Sequence, residues 1–241
     1  MTHTRFDLHL HSALSACAEN TLSPRQIIAC AVHAKLDMIA ITDHNASNHA
    51  TLASRLGQDC GLTVVPGMEV TTREEVHVLA LFTELTGLQA LQETVDNALP
   101  EAANDTEHFG WQVVYDEDDE IVDVDERLRQ IGTDLGIDDL TGHIRDFGGV
   151  AIPAHVYRAR NSLTSQLGFV NPDGDYDAVE VTARTWGREG LQLGNTIGGF
   201  PVLAGSDSHF VEDIGRFALE IPDHVSTVPQ LLGVLRNLVE A

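Results

Sequence analysis

Phe6-Asp7-Leu8-His9-Leu10-His11 begins as an apolar run and ends in two histidines spaced two residues apart. In a β-strand, residues i and i+2 project from the same face. His9 and His11 are therefore expected to leave the end of a first strand together, as two imidazoles able to grip one metal ion. Further short apolar runs follow at 38–42 and 62–70, separated by segments of helical pattern. Ser23 is positioned to cap the first helix, with Pro24 at its first position and Gln26 completing a capping box. The second helix is expected from about Ser47 to Cys60, stopped by Gly61. Read together, these segments form a βαβαβ beginning.

The alternation continues. Strands are expected at 76–82, 150–154, 178–181, 201–204 and 217–221, and a last helix follows Ser226 with Pro229 in its first turn. This pattern implies an α/β fold with a mostly parallel sheet, closed or nearly closed into a barrel. A chain of 241 residues, 43% hydrophobic, suits a single domain over 1–241. Between about 85 and 147 the pattern is interrupted by apolar runs at 111–115 and 121–124 around the acidic run 116–120. We read this as an inserted acidic hairpin with a solvated tip and flanking helical segments. The acidic run lacks the glycine and ligand spacing of a calcium loop.

Fourteen Lys and Arg against 37 Asp and Glu give a net charge of −23, and Lys35 is the only lysine. Such a field repels polyanions, so long nucleic acid is an unlikely partner, whereas a small anionic substrate held by metals is compatible with it. Acidity can equally reflect solubility alone. Cys17, Cys30 and Cys60 are odd in number and form no C-x-x-C pair, which points away from a disulfide framework or zinc ribbon. Cys30 and Cys60 are expected to be packing residues. No apolar stretch is long enough for a membrane span, and the first seven residues are unlike a signal peptide. The expectation is a cytoplasmic protein with no membrane partner.

Two more i, i+2 pairs occur, Asp207/His209 and Glu75/His77, and single donors follow other apolar runs: His44, Glu69 and His155. Glu75 either faces solvent or supports a neighbouring ligand. In a parallel barrel the C-terminal strand ends share one rim, so these groups would converge there. Burying so many polar groups without a metal would cost several kcal/mol each. Asp7 and Asp43 are candidates for orienting imidazoles. Arg158, three residues after His155, is placed to pair with a phosphate through its planar fork. Arg160 and Arg184 are weaker candidates.

The motifs 7–11, 42–44, Glu69, His77, His155 and 207–209 resemble, in order, those of the PHP (polymerase and histidinol phosphatase) family of metal-dependent phosphoesterases. The resemblance implies a distorted (β/α)7 TIM-like barrel holding two or three divalent transition-metal ions, zinc, manganese or iron. It would assign His9, His11, Glu69 and Asp207 to a first ion. Glu69 would bridge to a second held by His77 and His155, and His44 and His209 would serve a third. A further third-site ligand, usually an aspartate or histidine, follows the H-x-H motif in the family. Here Ala16 stands at the aspartate position and Cys17 follows, whose thiolate suits zinc or iron.

The expected reaction is hydrolysis of a small phosphate ester (a phosphomonoester, nucleotide or short oligonucleotide end) by a hydroxide shared between ions, with His209 or His44 as candidate acids. Phosphate-loop and serine-elbow motifs are absent from the sequence. Two rivals remain: an amidohydrolase acting on a C–N bond, which usually needs a bridging lysine, and a non-catalytic metal-stabilised module.

Overall fold

The computed structural model describes residues 3–240. Strand β1 (Thr4–Leu10) leads through α1 (Pro24–His33) to β2 (Met38–Ile41), and α2 (Ala50–Cys60) leads to β3 (Thr63–Thr71). These three strands pair in parallel, as the opening pattern predicts. Ser23 accepts a hydrogen bond from the Gln26 amide at 3.1 Å, but Gln26 does not return it. Its side chain turns instead to the Cys30 sulfur, 3.4 Å away, so only half of the expected capping box forms. Helix α2 begins at Ala50, later than expected, and its N-cap residue His49 makes no side-chain cap bond, its ring being engaged by Ser12 and the Tyr115 amide. Gly61 ends the helix in the left-handed conformation, φ 72°, that glycine adopts freely.

The parallel order then breaks. Strand β4 (His77–Phe82) turns back antiparallel to β3, and β7 (Gly149–Pro153) pairs antiparallel to β4. The run from Glu69 to His77 is too short for a helical crossover, so the chain makes a tight turn and reverses. Helix α3 (Leu85–Ala98), the hairpin of β5 (Val113–Tyr115) and β6 (Ile121–Val124), and α4 (Ile137–Asp146) fill the span before β7. After α5 (Leu163–Gln166) come β8 (Val179–Thr182), α6 (Ala183–Glu189), β9 (Thr196–Ile197) and β10 (Phe200–Gly205). The chain ends with β11 (Leu219–Ile221) and α7 (Val228–Glu240).

Six strands make one sheet in the order β11-β1-β2-β3-β4-β7, and β8-β10-β9 make a second. The sheets are joined just beyond β1, where His11 N donates to Ser208 O at 3.0 Å, and just beyond β7, where Val156 N donates to Glu180 O at 2.8 Å. The strands thus curl into a distorted barrel around a core that includes Phe6, Met38, Met68, Leu79, Val179 and Val202. Leu88, Leu91 and Val95 form the buried stripe of α3, spaced three and four residues apart as an amphipathic helix requires. Among the described residues, no helix is long and apolar enough to cross a membrane.

Candidate metal centre

One rim of the barrel collects the donors. His9 is the last residue but one of β1, His11 lies just beyond the strand, and His44 follows β2. Glu69 lies near the end of β3, His155 follows β7, and Asp207 and His209 follow β10. His77 reaches the same rim from the first residue of β4, because that strand runs the opposite way. Of the three i, i+2 pairs, only His9/His11 arises at a strand end as the alternation predicts. Asp207 leaves β10 with a left-handed φ of 54°, and Glu75 sits at φ 59° in the turn before β4, so neither pair shares one strand face.

Glu69 is fully buried at the centre. Its Oε1 lies 2.9 Å from His77 Nδ1, 3.2 Å from His155 Nε2 and 3.4 Å from His9 Nε2. Its Oε2 lies 3.0 Å from His44 Nδ1 and 3.4 Å from His11 Nε2. Asp207 Oδ1 stands 3.3 Å from His9 Nε2 and 3.1 Å from His11 Nε2. Three groups bring donor atoms within 4.8 Å of one another: His9, His11 and Glu69; His44, Glu69 and His77; and His11, His44 and His209. His44 therefore stands between two groups.

The hydrogen positions favour cations. His9 donates from Nδ1 to Glu180, 2.9 Å from Oε2, which leaves its Nε2 bare. His11 donates from Nδ1 to Ser15 Oγ at 3.0 Å, because the Ser15 proton goes to Asp43 Oδ1 at 2.6 Å. Its Nε2 is then bare too, and the two bare nitrogens face each other at 3.2 Å. Buried acceptors pointing at acceptors repel unless a positive charge sits among them. An ion with bonds of about 2.1 Å would set neighbouring donors roughly 3.0–3.4 Å apart, the spacing found here. Glu69 Oε2, His44 Nδ1 and His155 Nδ1 are also buried without hydrogen-bond partners. The donor set fits divalent metal ions.

Electrostatics agree. With no ion among the carboxylates a proton on Nε2 is the alternative positive charge: burial opposes it on His11, yet the hydrogen bonds it makes to Asp207 and Glu69 hold the pKa up at about 9. Burial also works against His44, but Glu69 and then Cys17 hold it at about 9. His77 and His209 are instead pushed down to about 4, chiefly by burial. Cys17 is thus beside His44, although it is exposed and belongs to none of the three groups. Asp7, raised to about 6 by burial, accepts from the Ser206 and His9 amides and touches no imidazole.

Glu180 escaped the sequence reading. It is buried in the middle of β8, and it fixes both the His9 ring and, at 3.2 Å, the His155 amide. A carboxylate inside the apolar run Val179-Glu180-Val181 was the available signal. Gly205 makes room for it, since a Cβ there would meet Glu180 Oε2 at 2.7 Å. At the mouth, Arg158 Nη1 donates to Asp207 Oδ2 at 2.8 Å with its side chain 48% exposed. A cleft of about 450 Å³ opens beside His44 and His77, lined also by Phe109, Arg160 and Asn161. Arg184 lies on the surface at the start of α6.

A PHP domain model matches residues 7–151, and a PHP-associated model matches 198–239. No curated protein matches the chain. Among solved structures, endonuclease Q in complex with a 27-mer duplex carrying an abasic lesion is similar at a TM-score of 0.65 and 14% identity. The match covers 98% of this chain and 57% of that one, so the chain spans little more than half its length. An amidohydrolase from Chromobacterium violaceum with bound sulfate matches at a TM-score of 0.52 and 18% identity, over 95% of this chain and 96% of that one. A protein assigned as a metal-dependent phosphoesterase from Bifidobacterium adolescentis matches at 0.52 and 17%, over 96% and 95%. At these identities the likeness is one of fold. With the family model covering more than half of the chain and a rim of donors that fits divalent ions, the chain belongs to the PHP domain family.

Proposed function

We propose that the protein hydrolyses a small phosphate ester with two or three divalent ions, of zinc, manganese or iron. In this reading His9, His11, Glu69 and Asp207 hold the first ion, and Glu69, His77 and His155 the second. His44, His209 and Cys17 hold a third. The observation that carries the reading is the position of Glu69, whose two oxygens face different imidazole groups, as a bridging carboxylate requires.

Ions at these positions supply, when bound, an activated water and a Lewis-acid clamp on the phosphate oxygens. The chain's own groups do the rest. Glu180 and Ser15 keep His9 and His11 in the tautomer that turns Nε2 inward. Arg158, at the mouth beside Asp207, presents its fork to a phosphate oxygen pair. With only the first two ions bound, His44 or His209 is free to deliver the proton to the leaving group.

The cleft of about 450 Å³ suits a sugar phosphate, a nucleotide or the end of a short oligonucleotide. The net charge of −23 favours such ligands over long nucleic acid, even though a similar fold in endonuclease Q meets a duplex. An amidohydrolase reading draws less support. Lys35, the only lysine, is exposed just past the end of α1 rather than within the helix, and takes no part in the rim.

The test is a panel of aryl phosphate, phosphomonoesters, nucleotides, dinucleotides and simple amides, run with manganese or zinc. Phosphate release that chelator abolishes is the expected outcome. Turnover of the amides alone, or full activity in chelator, overturns the proposal.

A further inference from the structure

A single chain of hydrogen bonds runs from the β5–β6 hairpin to the Nδ1 edge of His11, the edge turned away from the other rim donors. Tyr115 N donates to His49 Nε2 at 2.9 Å, so that nitrogen carries no proton. The neutral ring then has its proton on Nδ1, which donates to Ser12 Oγ at 2.8 Å. Ser12 passes its own proton to Asp43 Oδ2 at 2.6 Å. Asp43 Oδ1 accepts from Ser15 Oγ at 2.6 Å, and Ser15 Oγ accepts from His11 Nδ1 at 3.0 Å. Every hydrogen in this sequence has one permitted direction, because the amide at one end and the carboxylate in the middle cannot exchange roles. Ser12, Ser15, Asp43 and His49 are all buried. Burial also lowers the His49 pKa, which keeps the ring neutral as the geometry requires.

The hairpin grips the same loop along its backbone. Val113 N donates to Ala13 O at 2.7 Å and Tyr115 Oη to Asn20 O at 2.7 Å. Gly110 lies so close to this loop that a Cβ would meet Ala16 O at 2.2 Å, and its φ of 102° suits only glycine.

We propose that His49 is a positioning residue that couples docking of the β5–β6 hairpin to metal binding at His11. The inference rests on the metal reading of the rim and adds to it a residue that touches no proposed ligand. Binding an ion on His11 Nε2 requires the proton on Nδ1, and so a Ser15 hydroxyl turned to Asp43 Oδ1. Ser12, held between His49 Nδ1 and Asp43 Oδ2, fixes the carboxylate where Ser15 meets it, and the Tyr115 amide in turn fixes the His49 ring, so the coupling is one of position. By reciprocity, whatever the docked hairpin gives the ion, the ion gives back to the hairpin.

The experiment measures manganese affinity by competition with a chelator, and amide hydrogen exchange at Tyr115 with and without manganese, on the full chain. In the wild type, manganese should slow exchange at Tyr115. His49→Leu should weaken the affected ion about 5-fold or more and remove that protection. His49→Asn is the diagnostic variant. Its amide nitrogen stands near the Nδ1 position and can still donate to Ser12, so affinity should return to within about twofold while Tyr115 stays unprotected. A purely structural role for His49 would not separate the two readouts. Ser12→Ala removes one oxygen and asks the same question should His49→Leu fail to fold. Wild-type affinity in His49→Leu or Ser12→Ala, or Tyr115 exchange indifferent to manganese in the wild type, overturns the coupling. A wild-type protein that binds no manganese, zinc or iron overturns the metal reading itself.

Discussion

At the hairpin tip, Asp116, Glu117, Asp118, Asp119 and Glu120 crowd carboxylates into water, whereas at the rim Glu69 lies buried among imidazoles. The tip needs nothing further. Asp116 accepts from the Asp118 and Glu120 amides at 2.9 and 3.0 Å, and solvent screens the remaining charge. The rim has no such recourse, because its inward-facing atoms are acceptors shut away from water. The same residue types thus signal a turn in one place and a setting for cations in the other. Burial and the direction of hydrogens distinguish them, and acidity does not.

The sharpest way to break this contrast is to remove Glu69. Glu69→Ala should lower metal content and reduce phosphate release by at least about 1000-fold, an effect of about 4 kcal/mol, since its carboxylate faces both sides of the proposed pair. Elemental analysis alongside the rate assay checks it, and full metal content with full rate would remove Glu69 from the centre. Arg158 is the intermediate case, half exposed beside a partly buried carboxylate. Arg158→Ala should leave metal content intact and lower kcat/KM by roughly 30-fold, about 2 kcal/mol, with lysine restoring only part. Unchanged kinetics would transfer the role to Arg160, which lines the cleft. The smallest effect belongs to the tip. Glu117 pairs with Arg55 where both side chains are more than half exposed, 58% and 56%. Glu117→Gln should shift stability by less than about 0.5 kcal/mol and leave metal content unchanged in thermal melts and elemental analysis.

Local signals read well from the sequence. The Ser23 cap, the Gly61 stop and the i, i+2 pair at His9 and His11 all depend on short-range geometry, and the structure contains each of them. The reversal of β4 was hidden, because an apolar run carries no sign of its direction. It did not disturb the convergence of the donors, since the reversed strand presents its first residue, His77, where a parallel strand would present its last. The supporting residues were mostly illegible for a different reason. Ser15 and His49 acquire their roles only through partners distant in the chain, and nothing in their own neighbourhood marks them. Glu180 was the exception, a charge inside an apolar strand that could have been questioned.

His155 and Asp207 both sit at positive φ, 33° and 54°, where residues other than glycine, asparagine and aspartate are uncommon. Anyone grafting this site onto another scaffold inherits that requirement. Copying side chains onto ideal strands would aim those two donors elsewhere, so the transferable unit is the bent backbone after β7 and β10 together with the groups it carries. Directed evolution meets the same limit: a β-branched residue at either position has both the wrong chemistry and an unfavourable backbone, so variation is expected to concentrate in the cleft wall and spare these bends.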